Sequence, residues 1–360
     1  MSLKLHSVLV AVVILRLQDV IFMETWVAIL LLLIGFVCLV KGADWFVDGA
    51  AGIAEKLRVP QLVIGLTVVA FGTSAPELAT SIISSIQGNT GIAIGNIVGS
   101  NITNILLILG LAAVICPLPV HKDTARIDFP VLIGASVALL ICGIDGVLAR
   151  WEGILFFVVS CVYTVALIWM AIKQRNREQV LLNGEECVTE ISTEEQVEPK
   201  TSFGRWYQKM KEYGWFLTVV TIVGLVVVVL GAQLAVEGAT AIAEKIGVSD
   251  RIIGLTVVAI GTSLPELVTC VMAAIKGNTD IAVGDIVGSC IFNILRTLGI
   301  AATIMPLTFA NEFLIDTAIA LGAVALLSGL GWWKGNKIKR FGGVLMLLGF
   351  LGYYVYLFAV

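Results

Sequence analysis

Charged residues are scarce in this chain of 360 residues, and their scarcity excludes most classes of soluble protein. Asp, Glu, Lys and Arg make up 14% of the sequence and hydrophobic residues 58%, whereas an ordinary soluble domain carries roughly 25% charged residues. The net charge of -3 lacks the basic excess that phosphate backbones attract, so we expect no nucleic-acid partner. The composition instead predicts a multi-pass protein in contact with the lipid bilayer.

Histidine is almost absent, since only His6 and His121 occur and neither lies in a polar motif. An intramembrane hydrolase with a Ser-His pair is therefore implausible, and no HExxH metalloprotease motif is present. The seven cysteines are an odd number lying mostly in apolar runs, which favours small core residues over a disulfide framework. We expect no enzyme activity and no cofactor.

Long apolar runs predict ten transmembrane helices, because about 20 apolar residues are needed to cross a bilayer. A β-barrel is excluded, since barrel strands alternate between polar and apolar residues. We assign 23–172 to a first five-helix unit, 173–213 to a connecting loop and 214–360 to a second five-helix unit. The predicted spans are 26–40, 62–86, 92–115, 127–143, 154–172, 215–236, 252–275, 281–305, 313–332 and 341–358.

Basic residues in the loops predict the orientation, because cytoplasmic loops carry an excess of Lys and Arg. If the first span starts outside, sixteen basic residues fall in cytoplasmic loops and only Arg150, Lys245 and Arg251 fall in outer loops. This distribution predicts an inner or plasma membrane protein with both termini extracellular or periplasmic and a cytoplasmic central loop. The oligomeric state is left open.

Two segments fall outside this pattern. Residues 1–22 contain a short apolar stretch that Arg16 and Asp19 interrupt, so it should not span, and an interfacial helix and a non-native start are both left open. The central loop holds six glutamates between Glu185 and Glu198. A solvated linker is favoured over a calcium sensor there, because the spacing lacks the glycine of an EF-hand loop.

The chain contains an internal duplication at a constant offset of 189 residues. Positions 35–120 match 224–309 without a gap, with 49 identities in 86 positions. An odd number of spans in each unit makes the second copy enter the membrane from the opposite side. Such inverted repeats place substrate and ion sites near the midplane of the bilayer.

Identity concentrates in two polar blocks. The first reads GLTVVAFGTSAPEL from Gly65 and GLTVVAIGTSLPEL from Gly254. The second reads GNTGIAIGNIVGSNITNILLILG from Gly88 and GNTDIAVGDIVGSCIFNILRTLG from Gly277. Apolar packing alone would not require Thr, Ser, Glu and Asn at matching depths in a membrane.

The first block predicts a break in a helix that lines a cation site. Pro76 and Pro265 have no amide hydrogen, which leaves carbonyl oxygens without helical partners at membrane depth. One helical turn places Thr73 on the face of Glu77 and Thr262 on the face of Glu266. Burying each glutamate costs about 2.5 to 3.5 kcal/mol if acids follow the translocon scale, which makes function the better explanation.

The second block adds neutral oxygens. Ser100 and Asn104 share a helical face, as do Ser289 and Asn293. A set of carboxylate, hydroxyl, amide and carbonyl oxygens without His or Cys suits hard cations such as Ca²⁺ or Na⁺. The serines could instead serve only close helix packing, and the asparagines only interhelical hydrogen bonds.

The doubled GTSxPE motif, followed each time by GSxxxN, resembles the alpha repeats of the calcium/cation antiporter superfamily, specifically its prokaryotic sodium/calcium exchanger branch. The resemblance extends from Trp26 to nearly the end of the chain. It implies an all-helical fold of ten spans in two inverted five-helix repeats, four central ion sites, and alternating access by sliding of the first span of each half. It also implies that Glu77 and Glu266 are carboxylates shared by calcium and sodium.

Around these glutamates the resemblance implies a shell of hydroxyl, carbonyl and amide oxygens. The implied ligands are Thr73, Ser74, Thr262, Ser263, the carbonyls of Ala70 and Ala259, Ser100, Ser289, Asn104 and Asn293. The chain departs from some members at Asn293, where they carry aspartate, and this leaves sodium coupling open. Further departures are Asp285, whose repeat mate is Asn96, and Arg296, whose mate is Leu107.

The expected function is calcium extrusion driven by inward sodium movement. A calcium/proton antiporter with Glu77 or Glu266 as proton carrier is the nearest alternative. A passive cation channel is more distant, because inverted repeats with broken helices favour a carrier.

Three charged positions outside the implied ligand set carry their own expectations. We expect Asp285 to line the cytoplasmic access path without binding ions at the centre, or else to cap its helix. Arg296 should lie away from the ion cluster, with its guanidinium at a carboxylate or in water. Asp44 should cap or flank the end of the first span.

Overall fold

The computed structural model describes residues 25–184, 213–245, 259–332 and 337–359, and these ranges are almost wholly helical. The N-terminal extension 1–22 and the six glutamates of the central loop lie outside the described residues. The predictions about them therefore stay predictions.

The first half contains six helices and two short strands. They are α1 (Thr25–Leu57), α2 (Gln61–Thr73), α3 (Ala75–Ile86), α4 (Thr90–Ile115), β1 (Leu118–Pro119), α5 (Thr124–Gly143), β2 (Val147–Leu148) and α6 (Arg150–Gly184). The second half repeats the order. Its elements are α7 (Gly214–Lys245), α8 (Ala259–Thr262), α9 (Leu264–Ile275), α10 (Thr279–Ile304), β3 (Leu307–Thr308), α11 (Asn311–Trp332), β4 (Lys337–Ile338) and α12 (Arg340–Ala359).

Eight of the described helices are long and apolar enough to cross a membrane, and α2 with α3 adds a ninth span bent by 46°. The predicted all-helical membrane fold is thereby confirmed. The span predicted at 252–275 is described only from Ala259 onward, so the count of ten spans stays a prediction.

The first span is longer than the sequence predicted. Apolar character weakens after Val40, yet α1 continues as one helix to Leu57. Asp44, expected in a turn at the end of that span, lies within the helix, and its carboxylate pairs with Lys276 at 2.6 Å. The capping role is contradicted, since the helix continues past Asp44 to Leu57, and the interfacial role stays a prediction.

Helices α1 and α7 pack against each other in antiparallel fashion along glycine-lined faces. Gly35 approaches Gly231 and Ala235. Gly49, which is further along α1, approaches Thr221, which is earlier in α7, so the two helices run in opposite directions. A Cβ atom added at Gly35 would lie 2.5 Å from the backbone nitrogen of Ala235. Only glycine permits this approach, and the antiparallel direction is the one that an inverted repeat requires of two equivalent helices.

The two halves also exchange contacts at both ends of the bundle. Strand β1 pairs with β4 and β2 pairs with β3, so each pair joins one half to the other. Helix α4 approaches α12 at Gly110 and Gly343, and α10 approaches α6 at Gly299 and Gly153. The most deeply buried spans are α4 and α10, which carry the second polar block through the centre.

We predict that Gly35→Ala lowers the thermal unfolding midpoint in detergent, because overpacking of a close contact costs about 1–3 kcal/mol. Gly134→Ala is the matched control, since a Cβ atom there meets nothing within 4 Å. The control should keep or slightly raise the midpoint. Equal midpoints for both variants would contradict the close packing of α1 on α7.

Candidate functional site

Both broken spans bend at a serine that precedes a proline. Ser74 has φ -80° and ψ 9° between α2 and α3, and Ser263 has φ -90° and ψ 7° between α8 and α9. The prolines lie in the first turn of the new helices, where the missing amide hydrogen is tolerated. The break therefore starts a fresh helix in the interior, with its positive end near the following glutamate.

The two glutamates occupy equivalent positions at the centre. Glu77 lies in the first turn of α3 and Glu266 in the first turn of α9, and both side chains are 0% exposed. Ser74 donates to Glu266 Oε1 at 3.0 Å, and Ser263 donates to Glu77 Oε1 at 3.4 Å. Each serine thus contacts the glutamate of the other half, so neither repeat forms the site alone.

The second polar block lies beside the glutamates, as predicted. Ser263 Oγ is 3.4 Å from Ser100 Oγ, and Ser289 donates to the carbonyl oxygen of Ala70 at 3.4 Å. Asn104 and Asn293 are 0% exposed, and each begins or lies within a π-helical turn of the central spans. Such turns widen a helix and occur often at functional sites.

Several buried oxygens of this cluster have no hydrogen-bond partner among the described residues. They are Glu77 Oε2, Glu266 Oε2, Asn104 Oδ1 and Asn293 Oδ1, and the donor Asn104 Nδ2 is likewise without a partner there. Buried polar atoms are normally paired, so unpaired oxygens at one place indicate a site for a positively charged guest. In the described ranges, no three His, Cys, Asp or Glu residues form a metal-binding group, so neutral oxygens must complete any cation's shell.

The electrostatics of the interior also favour a cation. In the described part of the chain, every buried residue of the types Asp, Glu, Lys and Arg is acidic: Glu77, Asp128, Glu152, Glu266 and Asp285. Charges transferred out of water need compensation by an opposite charge or by hydrogen bonds. Cations are the natural partners of the two central glutamates.

Other predicted ligands lie at the edge of the cluster. Thr73 is fully buried and donates toward Val69 O at 3.1 Å or Asp285 Oδ1 at 3.0 Å. Thr262 lines a cavity of about 380 Å³ together with Pro76, Gln233 and Pro265. Ala259 is the first described residue of α8, and the contacts of its side chain lie outside the description.

Asn101 is a central residue that the sequence analysis missed. It donates to the Cys290 carbonyl at 3.2 Å and accepts a hydrogen bond from Asn293 Nδ2 at 3.1 Å. The second bond orients the Asn293 amide so that its Oδ1 remains unpaired. The repeat does not indicate this role, because the mate of Asn101 is Cys290 and only one half carries an amide at this position.

Asp285 lies within a helix and is buried, which excludes one of the two roles expected for it. It is in the middle of a helix that begins at Thr279, so it caps nothing, and its side chain is 0% exposed. Its Oδ1 lies 3.0 Å from Thr73 Oγ1 and its Oδ2 lies 2.9 Å from Thr269 Oγ1. The helix cap is therefore contradicted. Packing of α2 and α9 on α10 encloses the carboxylate in the state described, and its expected role in the cytoplasmic access path stays a prediction.

Arg296 avoids the glutamates by a different contact from the one expected. Its Nη2 donates to Thr164 Oγ1 at 2.9 Å, and the guanidinium lies 4.4 Å from the ring centre of Phe292 and 5.3 Å from that of Phe71. Location away from the cluster is confirmed, but the partners are a hydroxyl and two aromatic faces. Cation–π contact replaces the expected carboxylate.

Comparison with known proteins identifies the family of this chain. The family profile described as "Sodium/calcium exchanger protein" matches residues 27–169 and 216–359, one match for each half. The chain belongs to the sodium/calcium exchanger family. It is therefore a membrane antiporter of calcium and other cations, which confirms the resemblance inferred from the doubled motif.

Individual relatives extend over nearly the whole length. Sodium/calcium exchanger MaX1 of Methanosarcina acetivorans is 36% identical over 355 residues, covering 92% of this chain and 98% of that protein. Putative antiporter CaxA of Alkalimonas amylolytica is 38% identical, covering 92% and 99%. A solved structure of the sodium-calcium exchanger NCX_Mj, soaked with Na⁺ and Sr²⁺, superposes with a TM-score of 0.75 at 31% identity, covering 92% and 99%.

We predict that Asn101→Leu weakens calcium binding by about tenfold or more while the protein still folds, because groups that orient ligands typically contribute that much to metal affinity. Calorimetric titration of the purified protein with Ca²⁺ measures the effect. Ser85→Ala is the control, since that hydroxyl bonds only the Ser81 carbonyl of its own helix. Unchanged affinity in Asn101→Leu would contradict the orienting role.

Proposed function

We propose that this antiporter extrudes Ca²⁺ in exchange for Na⁺ at one central site. The observation that carries the proposal is the crossed pair of buried glutamates, each hydrogen-bonded by the serine of the other repeat and each with an oxygen left unpaired. Two carboxylates match the charge of one Ca²⁺, and the same oxygens suit Na⁺. The names of MaX1 and NCX_Mj, both sodium/calcium exchangers, support this choice of ions.

The proposed ligands are the oxygens that surround these glutamates. Hydroxyl, amide and backbone carbonyl oxygens supply a hard and flexible shell of the kind that Ca²⁺ accepts with six to eight ligands. They are Thr73, Ser74, Ser100, Asn104, Thr262, Ser263, Ser289, Asn293 and the carbonyls of Ala70 and Ala259. Competition of one Ca²⁺ and several Na⁺ for shared oxygens would couple their movements.

The proposed architecture is ten spans in two inverted repeats of 23–172 and 214–360. The antiparallel contact of α1 with α7 and the exchanged strand pairs support it. The excess of basic residues supports a cytoplasmic loop at 173–213 with both termini outside. In that orientation the cavity lined by Thr262, Gln233 and Glu237 opens to the outside.

Proton coupling is the second candidate, because the resemblance implies aspartate in some members where this chain has Asn293, while the buried acids Glu77, Glu266 and Asp285 lie near one another. We expect proteoliposomes to accumulate ⁴⁵Ca²⁺ under an outwardly directed sodium gradient without any proton gradient. Saturating uptake with strict counter-ion dependence also excludes a channel. Uptake driven by a proton gradient alone would favour the second candidate.

We predict that Glu77→Gln and Glu266→Gln each abolish calcium exchange, because each removes one unit of ligand charge while keeping side-chain shape. Both proteins should still insert and elute as single species, since a neutral side chain costs less to bury. Glu152→Gln, which removes a buried glutamate that accepts from the Ala149 amide at 2.7 Å, is the control outside the proposed site. Wild-type flux in both single variants would rule out the site.

A further inference from the structure

The two halves are packed differently on the two sides of the proposed ion site. On one side α1 packs along α9, and Leu39 and Ala43 share an apolar cluster with Leu264 and Met272. On the other side the repeat mates, α7 and α3, are separated by the 380 Å³ cavity. Equivalent helices of the two repeats are therefore packed together on one side of the ion site and separated by a cavity on the other.

Several residues that line the open cavity have mates that are buried or joined by polar contacts on the other side. Each polar residue that lines the cavity has a repeat mate 189 positions away, and these mates form a second set of residues on the α1 and α9 side, here called the closed set. Thr80, Gln233, Glu237 and Thr262 correspond to Thr269, Asp44, Asp48 and Thr73. Val236 of the cavity corresponds to Val47, whose side chain is 0% exposed.

Asp285 joins the two threonines of this closed set. Its Oδ1 lies 3.0 Å from Thr73 Oγ1 and its Oδ2 lies 2.9 Å from Thr269 Oγ1, so one carboxylate contacts both α2 and α9. Each hydroxyl can donate either to this carboxylate or to a carbonyl oxygen of its own helix, Val69 O at 3.1 Å or Pro265 O at 2.7 Å. The mate, Asn96, turns elsewhere and donates to the Glu77 carbonyl at 3.2 Å and to Ser81 Oγ at 3.1 Å. The charge difference between these mates therefore coincides with the difference between a closed and an open side.

Lys276 joins the two aspartates of the closed set. Its Nζ lies 2.6 Å from Asp44 Oδ1, 2.6 Å from Asp48 Oδ1 and 2.8 Å from the Asp44 carbonyl oxygen. Because Lys276 follows α9 and both aspartates belong to α1, the ammonium group ties these helices together. The mate of Lys276 is Gln87, an exposed neutral residue that cannot form such an ion pair.

We propose that two polar bridges close the access path between α1, α2 and α9, on the side opposite the open cavity. The inner bridge is Asp285 with Thr73 and Thr269, and the outer bridge is Lys276 with Asp44 and Asp48. The proposal deepens the antiporter function proposed above, on which it rests, by naming the residues that hold this side closed. In the proposed orientation this path leads to the cytoplasm.

The asymmetry has a direct consequence for transport. Opening the path requires the ammonium group to leave two carboxylates, whereas closing the opposite side forms no equivalent ion pair because Gln87 is neutral. The bridges therefore shift the equilibrium toward the state that is closed at Lys276. Once released, Asp44 and Asp48 present two negative charges at the mouth and attract the next cation from that side.

The test measures access to the path without measuring transport. Val47→Cys is placed in the closed path and its mate Val236→Cys in the open cavity, each in the full-length protein in oriented vesicles. A membrane-impermeant maleimide is added from either side, and labelling is compared with the same chain without the added cysteine. We expect Val236→Cys to react from the side opposite Lys276 and Val47→Cys to be protected.

Lys276→Met removes the outer bridge and should raise the labelling rate of Val47→Cys from the Lys276 side by about fivefold. This factor corresponds to the strongest ion pairs measured between exposed side chains. Asp285→Asn should also raise it, by loosening the inner bridge. Gln87→Met is the matched control and should leave Val47→Cys protected. Exchanging the charges, with Lys276→Asp and Asp48→Lys together, should restore protection.

Protection of Val47→Cys in both Lys276→Met and Asp285→Asn, with each protein eluting as a single species, would overturn the proposal. Equal exposure in Gln87→Met would also overturn it, because the effect would then be general loosening. The labelling pattern does not depend on which ions are exchanged. Failure of sodium-driven calcium uptake would therefore contradict the proposed function alone. The labelling result would still decide whether the two bridges close the path.

Discussion

Burial of two glutamates inside a membrane bundle is the constraint on which the rest of this structure depends. Glu77 and Glu266 are fully buried, and no Lys or Arg is buried anywhere in the described part of the chain. Their charges are costly in such an interior unless cations or hydrogen bonds compensate them. Broken helices, crossed serine contacts and unpaired amide oxygens surround these two carboxylates, as the proposed cation site requires.

Duplication gives this site its shape. Ser74 contacts Glu266 and Ser263 contacts Glu77, so the site exists only where the halves meet. Glycine-lined contact between α1 and α7 holds the two first spans together, while the remaining helices form the surrounding bundle. A symmetric frame with unequal bridges on its two sides can expose one shared site alternately, which is what a carrier requires.

The sequence predicted the centre well because its chemistry recurs. Each polar block occurs twice at a constant offset, and this repetition indicated Glu77, Glu266 and their serines from the sequence alone. The doubled motif also indicated the family. Repetition could not reveal roles held by only one copy. Asn101 and Asp285 differ from their mates, and their partners, Asn293 and Thr73, are brought near only by packing of distant helices.

Local pattern also misjudged the ends of elements. Asp44 resembles an interfacial residue, but α1 continues past it because α7 supports the helix along its length and Lys276 compensates the charge. The π-helical turns at Asn104 and Asn293 have no apolar signature of their own. Contacts with distant helices determine the length of α1 and the position of the π-helical turns, and such contacts cannot be read from a single sequence.

The most direct measurement of the central claim is the position of a bound divalent ion. Crystals of the protein grown with Sr²⁺ in place of Ca²⁺ would give an anomalous difference map in which the ion is located without bias. We predict a peak between the carboxylates of Glu77 and Glu266, within reach of oxygens from both repeats. A strong peak only elsewhere in the molecule, with the space between these glutamates empty, would contradict the account.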